Sequence, residues 1–502
     1  MEAIPNEINS EDTLKKSTRY TLFTGATGLL GEYLLRDGMQ AGERYAVLVR
    51  PSRVESARGR VESMLARCED RCGLTLPRPV VLEGSLTEPG LGLTLEDRRW
   101  VADHCDRVLH NAASLIFYKD EKGEPERSNV EGTRNVLDLA ENAGIRTFHH
   151  VSTAYVCGVR DDVCHESQLD VGQEFGNDYE RSKVAAEKMV RESGFLDCVT
   201  VFRPAIIIGD SQTGYTSTYH GFFTPLKVAH VMAASTGLAV VDGSPLLKAL
   251  GFNGTECKNF VPVDWVSAVM SLVMRQSETW GETYHLVPRN RVSVTETTKV
   301  FEEAIKRFYT GKVKKKDGPA PAWSDVQEMF RTQMSVYQSY WRNDPVFDYS
   351  NVTKVAPHLP CPEVDYPMLM RMAMFALENG FGWPKKPRLL PPIDIHECLT
   401  AVPRQHGVSD MKVGLQINGR GGGQWTLRCS ENGVIRKIER GLPQESPLIY
   451  LNNETFAKLL ERKSDVAEAL ESGAVAVSTG ETDAFSECEA QSILRTLTST
   501  TH

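Results

Sequence analysis

The sequence has no surplus of positive charge, no long unbroken apolar run and no paired cysteines. Its 57 Lys and Arg are outnumbered by 66 Asp and Glu, for a net charge of −9, so the chain as a whole offers no basic face to nucleic acid. No stretch reaches the roughly 18 apolar residues of a membrane span; the longest candidate, 225–241, is interrupted by Lys227, His230 and Ser235. The 11 cysteines are an odd number without a Cys-x-x-Cys pair, which excludes a disulfide scaffold, gives no metal-ligand cluster, and points to a reducing, cytoplasmic setting. Cys68 and Cys72, one helical turn apart, read as helix packing. The N-terminus carries Glu2, Glu7, Glu11 and Asp12 and fits neither a secretory signal nor an Arg-rich transit peptide. Repeats and low-complexity tracts are missing as well, so at ~100–200 residues per domain the 502 residues are expected to form two or three globular domains.

What is present is a regular alternation. Apolar, β-branched runs at 20–24, 45–50, 80–83, 108–111, 147–156 and 199–208 are separated by helix-length segments, the pattern of βαβ units on a parallel sheet buried on both faces. The expected fold class is α/β, a Rossmann-type doubly wound sheet over 18–290 behind a flexible N-terminus, 1–17. From 291 to 383 the pattern turns helical and is expected to form a substrate-binding part, with helices at 302–309, 325–340 and 366–379. The last of these carries Met368, Met370, Met372 and Met374. Methionine at that density offers an adaptable apolar surface, read here as a core helix rather than a tunnel wall. The prolines of 384–395 remove amide donors and predict an extended linker. Strand-like alternation follows at 412–417, 424–429, 434–439 and 448–451, joined by Asn418-Gly419, Gly421-Gly422-Gly423 and Asn432-Gly433, which predicts antiparallel pairing. With helices at 453–462 and 465–471 and a last strand at 475–478, this gives a small α+β domain over 396–485 and a tail, 486–502.

Thr24-Gly25-Ala26-Thr27-Gly28-Leu29-Leu30-Gly31 lies between the first strand and the first helix. Gly25 permits a tight turn, Gly28 lets the backbone approach a pyrophosphate and Gly31 lets the helix pack on the strand, which leaves phosphates at a helix N-terminus. Gly25, Thr27, Gly28, Leu29, Leu30 and Gly31 are therefore candidate cofactor contacts. About 20 residues beyond, where a ribose-binding Asp or Glu would mark NAD, stand Arg50 and Arg53. Arginine meets a 2′-phosphate bidentately, so NADP(H) is the expected cofactor.

Tyr179 and Lys183 are four residues apart at the start of a helical pattern, hence on one face. An ammonium beside a phenol lowers its pKa, so that Tyr exchanges a proton with a carbonyl oxygen near neutral pH. Tyr118 and Lys122 show the same spacing but fall in a polar loop and read as a solvated pair. Tyr179 follows the strand that ends near Ser152-Thr153, and ligands of such sheets bind at the strands' carboxyl ends, so a hydroxyl from either residue can share an oxyanion with Tyr179.

The glycine turn, Asn111-Ala112-Ala113, Asn129-Val130-Glu131-Gly132-Thr133, Ser152-Thr153, the Tyr179/Lys183 pair and Arg203-Pro204 together resemble the extended short-chain dehydrogenase/reductases over about 18–290. By that resemblance Thr153 holds the substrate oxygen, Tyr179 donates the proton, and Lys183 also holds the nicotinamide ribose. Asn111, Ala112 and Ala113 would flank the cofactor, and Pro204 to Ile206 the nicotinamide. More narrowly, 84–93, His110 to Ser114, His150 to Tyr155 and Gly209-Asp-Ser-Gln-Thr-Gly214 followed by Tyr219-His220-Gly221 look like the thioester reductase and fatty acyl-CoA reductase branch, the male-sterility type. Ser85, followed by Leu86, stands where that branch usually has an Asp near the adenine. Ala154-Tyr155 replaces the Asp-Glu pair of sugar dehydratases, which argues against dehydration.

The resemblance implies hydride transfer from NADPH to an acyl thioester on CoA or a carrier protein, with Thr153 and Tyr179 stabilising the oxyanion and collapse of the hemithioacetal to aldehyde and thiol. The product is an aldehyde or, after a second hydride, an alcohol. His220 reads as a loop residue. The alternatives are an extended-family dehydrogenase or epimerase of a sterol, hydroxy-lipid or nucleotide sugar, and a non-catalytic lipid- or nucleotide-binding protein. The C-terminal region resembles the sterol carrier protein fold, which implies either a lipid tunnel or a closed stabilising core.

Overall fold

The computed structural model describes residues 19–236, 253–310, 328, 340, 342–384, 391, 393–402, 404, 411–430, 433–478 and 485–499. The expected N-terminal segment 1–17, nearly all of the helix expected at 325–340 and most of the 384–395 linker lie outside the described residues.

The chain opens with β1 (Tyr20–Thr24), α1 (Leu29–Gln40), β2 (Arg44–Val49), α2 (Ala57–Cys72), β3 (Val80–Glu83), α3 (Leu95–His104), β4 (Cys105–His110), α4 (Gly132–Asn142) and β5 (Thr147–Val151). There follow β6 (Val163–Cys164), α5 (Asp178–Arg191), β7 (Cys198–Pro204), β8 (Ile206–Ile208), α6 (Phe223–Thr236), β9 (Cys257–Lys258), β10 (Phe260–Pro262) and β11 (Thr283–Leu286). Seven strands form one sheet in the order β11-β7-β5-β4-β1-β2-β3, every neighbouring pair parallel. Chain order reverses between β1 and β4, so the ligand crevice of this Rossmann-type sheet lies at their carboxyl ends. All five residues of β1 are buried, as a strand covered on both faces requires. One face packs on α1, α2 and the helix Val263–Arg275 through Leu34, Leu65 and Val266; the other packs on α3 and α4 through Val101 and Val136.

Two expected strands are shorter than their apolar runs. The run 147–156 leaves the sheet at Val151, and Thr153 caps a tight turn, Ala154–Cys157, by accepting the Tyr155 N–H at 3.3 Å. The run 199–208 breaks at Ala205: β7 pairs with β11, whereas β8 pairs with β10. Periodicity reads a strand through such a break because both halves are apolar.

The helical part brings α6, the helix Val294–Tyr309 (after β12, Val292–Ser293) and the helix Tyr366–Glu378 around one core. Met368, Met370 and Met372 are buried in it. β13 (Val346–Phe347) returns to pair with β6.

The C-terminal region is a separate mixed sheet with helices. β14 (Met411–Asn418), β15 (Gly423–Cys429), β16 (Ile435–Arg440), β17 (Leu448–Asn452) and β18 (Val475–Ser478) take the order β16-β15-β14-β17-β18. The expected antiparallel pairing fails at one place, since β17 runs parallel to β14. The crossing this requires passes over Gly414, where a Cβ would strike Leu448 and Pro443. The expected tail is not a tail: Glu487–Thr498 is a helix with a Ser486/Glu489 capping box, and its Ala490, Ile493, Leu494 and Leu497 complete this core.

This module docks at the amino ends of the large sheet. The Tyr20 hydroxyl donates to Gln424 Oε1 at 2.7 Å and accepts the Leu442 N–H at 2.8 Å. Trp100 donates to the Arg440 carbonyl at 3.0 Å, and Arg440 pairs with Asp97 at 2.7 Å. No helix among the described residues is long and apolar enough to cross a membrane.

Candidate active site

The carboxyl ends of the large sheet open into one cavity of about 910 Å³. It is lined by Gly25, Thr27, Gly28, Leu29, Leu30, Arg50, Ser85, Leu86, Asn111, Ala112, Ala113, Thr153, Tyr179, Lys183, Pro204 and Ile206. Of the candidate catalytic and cofactor-binding residues, Gly31 and Arg53 are not part of the lining.

The glycine turn separates three roles. Gly25 has φ +78°, and a Cβ there would stand 2.6 Å from the Ala112 N. At Gly31 a Cβ would run into the Gly25 carbonyl, so this glycine serves helix–strand packing. At Gly28 a Cβ would meet only the Gly25 carbonyl, at 3.5 Å. The protein itself leaves that position room, and Gly28 is also the N-cap of α1, so the free space and the helix N-terminus fit a dinucleotide phosphate.

A proton chain anchors the turn. Thr133 donates to the Asn129 carbonyl at 2.6 Å, so its oxygen accepts from His110 Nε2 at 3.0 Å. His110 Nδ1 must then accept the Thr24 hydroxyl at 2.7 Å, and Thr24 in turn accepts the Ala112 N–H at 3.3 Å. Burial pushes His110 down to about 3, with the Lys183 charge adding to the effect, so the ring is neutral, as this chain demands.

The cationic end of the cradle differs from expectation. Ser52 N–H closes a turn onto the Glu55 carbonyl at 2.8 Å, which leaves Arg53 exposed outside the cavity. Arg60, on the first turn of α2, comes back instead: it donates to the Arg50 carbonyl at 2.6 Å and to Thr27 Oγ1 at 3.4 Å. Burial and the charge of Arg50 lower its pKa. Two cations held close beside a helix N-terminus fit an anionic group. Arg60 is the fourth residue of α2, after the Ser56 N-cap; no local pattern marks it, because the direction in which that helix starts is set by tertiary structure.

α5 delivers Tyr179 and Lys183. Its Asn177 cap accepts the Glu180 N–H at 2.9 Å, while Asp178 and Tyr179 donate main-chain N–H groups to the Phe117 carbonyl at 2.9 and 3.2 Å. Buried Arg203 of β7 grips Glu187 of α5 with two bonds of 3.0 and 2.6 Å and so fastens the helix to the sheet. Asn129, in a π-helical turn Arg127–Glu131, takes the Ser114 N–H at 2.7 Å and donates to Ser182 at 2.9 Å. Arg203 and Asn129, motif residues whose sequence context shows no role, both hold the helix that carries the pair.

The Thr153 hydroxyl lies beside the Tyr179 phenol and acts to lower its pKa, but burial outweighs it and pushes the phenol up to about 12. The expected depression by Lys183 is absent, because the ammonium donates to the Val151 carbonyl at 2.8 Å. Burial lowers Lys183 to about 8, partly offset by Glu187. Tyr179 is thus a neutral proton donor at pH 7, and Lys183 is mostly cationic on the Val151 carbonyl. His220 lines the same cavity, and Tyr118 is exposed.

Residues 23–270 match the family described as male sterility protein. The chain is 28% identical over 282 residues to the non-canonical nonribosomal peptide synthetase hkm10 of Aspergillus hancockii, covering 53% of this chain and 26% of that protein. It is 26% identical over 315 residues to fatty acyl-CoA reductase wat of Drosophila melanogaster, covering 54% and 58%. The chain therefore spans between a quarter and somewhat over half of these relatives. Among solved structures it is similar to the terminal R domain from the myxalamid PKS-NRPS biosynthetic pathway, with a TM-score of 0.55 and 25% identity over 73% of this chain and 92% of that one.

Proposed function

We propose, for a chain whose residues 23–270 are an NAD(P)-binding reductase domain of the male-sterility type, that it is an NADPH-dependent reductase of a lipid-like acyl thioester, carried on CoA or a carrier protein, yielding aldehyde or alcohol. The observation that carries this reading is the Thr153/Tyr179 hydroxyl pair placed where the glycine cradle meets an apolar limb of one cavity. NADPH, when bound, supplies the hydride. Thr153 and Tyr179 orient the thioester oxygen and stabilise charge developing on it; Tyr179 gives that oxygen its proton. Lys183, fixed on the Val151 carbonyl, would hold the nicotinamide ribose. Re-ionisation of the new hydroxyl, with its proton returning to Tyr179, expels the thiolate as the C–S bond breaks, and the thiolate takes its proton from solvent.

Arg50 and Arg60 support NADPH over NADH. Gly25, Thr27, Gly28, Leu29 and Leu30 would hold the pyrophosphate, Ser85 and Leu86 the adenine, and Asn111 to Ala113, Pro204 and Ile206 the nicotinamide side. The C-terminal module's likeness to a sterol carrier fold rests on its sheet-and-helix pattern, and its place at the amino ends favours a bracing role over direct delivery of substrate.

NADPH oxidation with dodecanoyl-CoA and product identification tests the reading. Thiol release with aldehyde or alcohol supports it; NADP⁺ reduction with sterols or nucleotide sugars, and none of NADPH with thioesters, would replace it.

A further inference from the structure

The cavity has a limb that the cofactor cradle does not use. Along the helix Val294–Tyr309 it is lined by Val294, Thr297, Thr298, Phe301, Glu302 and Ile305, the i, i+3, i+4, i+7 spacing of one helix face. At 1.5 Å rise per residue that face runs for about 16 Å. The opposite wall is Phe222, Pro225 and Ala229, the last two one turn apart on α6. We infer that this limb holds the acyl group's hydrocarbon chain in extended form, selects against polar or charged chains, and has its bore set by Ala229 and Phe301.

The threonines of this helix face, and the lysine at its catalytic end, are engaged within the protein. Thr297 donates to the Ser293 carbonyl at 3.1 Å and Thr298 to the Val294 carbonyl at 2.9 Å. Lys258, at the catalytic end, puts its ammonium on the carbonyls of Tyr340 and Arg342, each at 2.6 Å, and on Asp344 Oδ1 at 3.0 Å, which uses all three of its N–H donors. The Tyr155 hydroxyl donates to Asp344 Oδ2 at 2.5 Å. A sugar hydroxyl or carboxylate entering here would lose water without gaining these donors. The apolar wall is closely packed: fully buried Phe222 touches Phe223, Phe260 and Phe301 with ring centroids 5.1, 5.6 and 5.0 Å apart. Past Ile305, Tyr309 stacks on His230 and bonds its Nδ1 at 3.1 Å, joining the two helices. The limb's length fits a medium-chain acyl group.

This inference rests on the thioester reading of the same site, so its test has two readouts on the full-length chain. The first is kcat/KM for butanoyl-, octanoyl-, dodecanoyl- and hexadecanoyl-CoA and for ω-carboxydodecanoyl-CoA. The second is calorimetric binding of the corresponding 1-alkanols. Medium chains should be preferred, and the ω-carboxylated substrate should be at least about tenfold poorer than dodecanoyl-CoA. Ala229→Phe should lower the dodecanoyl-to-butanoyl ratio about tenfold, and Ala229→Val should move it the same way by less, which keeps the test intact if the larger side chain unfolds the protein. Reduction of thioesters with a length profile unmoved by both variants overturns the limb while leaving the reductase reading standing. Alkanol binding with the variant-dependent length cut-off, but no thioester turnover, supports the limb and removes the reading. Neither turnover nor alkanol binding overturns both.

Discussion

Arg60 donates one guanidinium N–H to the main-chain carbonyl of Arg50 at 2.6 Å and points another at the Thr27 hydroxyl, 3.4 Å away. A residue on a helix thereby ties the end of β2 to the glycine turn and brings a second cation beside the first. Arg60→Ala is expected to weaken NADPH binding by about tenfold or more, the worth of a charged hydrogen bond at ~1.5–3 kcal/mol, with little change for NADH. Fluorescence titration of both cofactors checks it; equal losses would reduce Arg60 to a loop anchor.

Tyr179→Phe should lower kcat by about 10²–10⁴ and Thr153→Val by about 10²–10³, each with NADPH affinity near wild type. Full activity of Tyr179→Phe would remove it from the mechanism.

Burial lowers Lys183 to about 8, and its ammonium, held on the Val151 carbonyl, is the form expected to hold the nicotinamide ribose in place for hydride transfer. The ammonium is present below that pH and is lost as pH rises through it, so kcat/KM should fall above about pH 8 with loss of one proton, while Tyr179, at about 12, stays protonated throughout. A profile flat to pH 10 would separate Lys183's charge from the rate.

His110 joins Thr133 to Thr24 with each ring nitrogen in one role. His110→Phe should leave two buried hydroxyls short of a partner, at ~1–3 kcal/mol, and loosen NADPH binding more than it lowers kcat at saturating cofactor. A melting-temperature change without a cofactor effect would confine the residue to the core.

The fold was legible where one periodicity rules one element. The runs 20–24 and 80–83 coincide with β1 and β3 because each is a short stretch of β-branched, aromatic and aliphatic residues, Glu83 excepted, lying wholly within one strand. β11 went unread: Thr283-Tyr-His-Leu is short and carries a histidine whose ring bonds the Asp348 carbonyl at 2.7 Å, a partner far along the chain. At the site, the glycine turn, Thr153 and the Tyr179/Lys183 pair are local patterns and could be read directly. Arg60 could not, since the turn that discards Arg53 and recruits Arg60 depends on how α2 leaves β2. Lys183's effect on Tyr179 differs from expectation for a related reason, because helical spacing sets a face but does not show that the ammonium bonds the Val151 carbonyl.

Tyr20→Phe removes a buried hydroxyl that serves Gln424 and Leu442 together. It should cost about 1–3 kcal/mol and lower the melting temperature of the whole chain in calorimetry. Early melting of the five-stranded module alone, with the reductase unaffected, would make the contact incidental.

That contact gives β1 two owners. Tyr20 begins the strand in the grip of the C-terminal module, and Thr24 ends it roughly 13 Å away at ~3.3 Å per residue, holding His110 at the glycine turn. The module and the cofactor cradle thus sit at opposite ends of one stiff rod, with the sheet as a partition between them. Cargo held by the module would have to leave it and travel around the molecule to be reduced, whereas a mechanical disturbance at Tyr20 needs only five residues to arrive at the nucleotide.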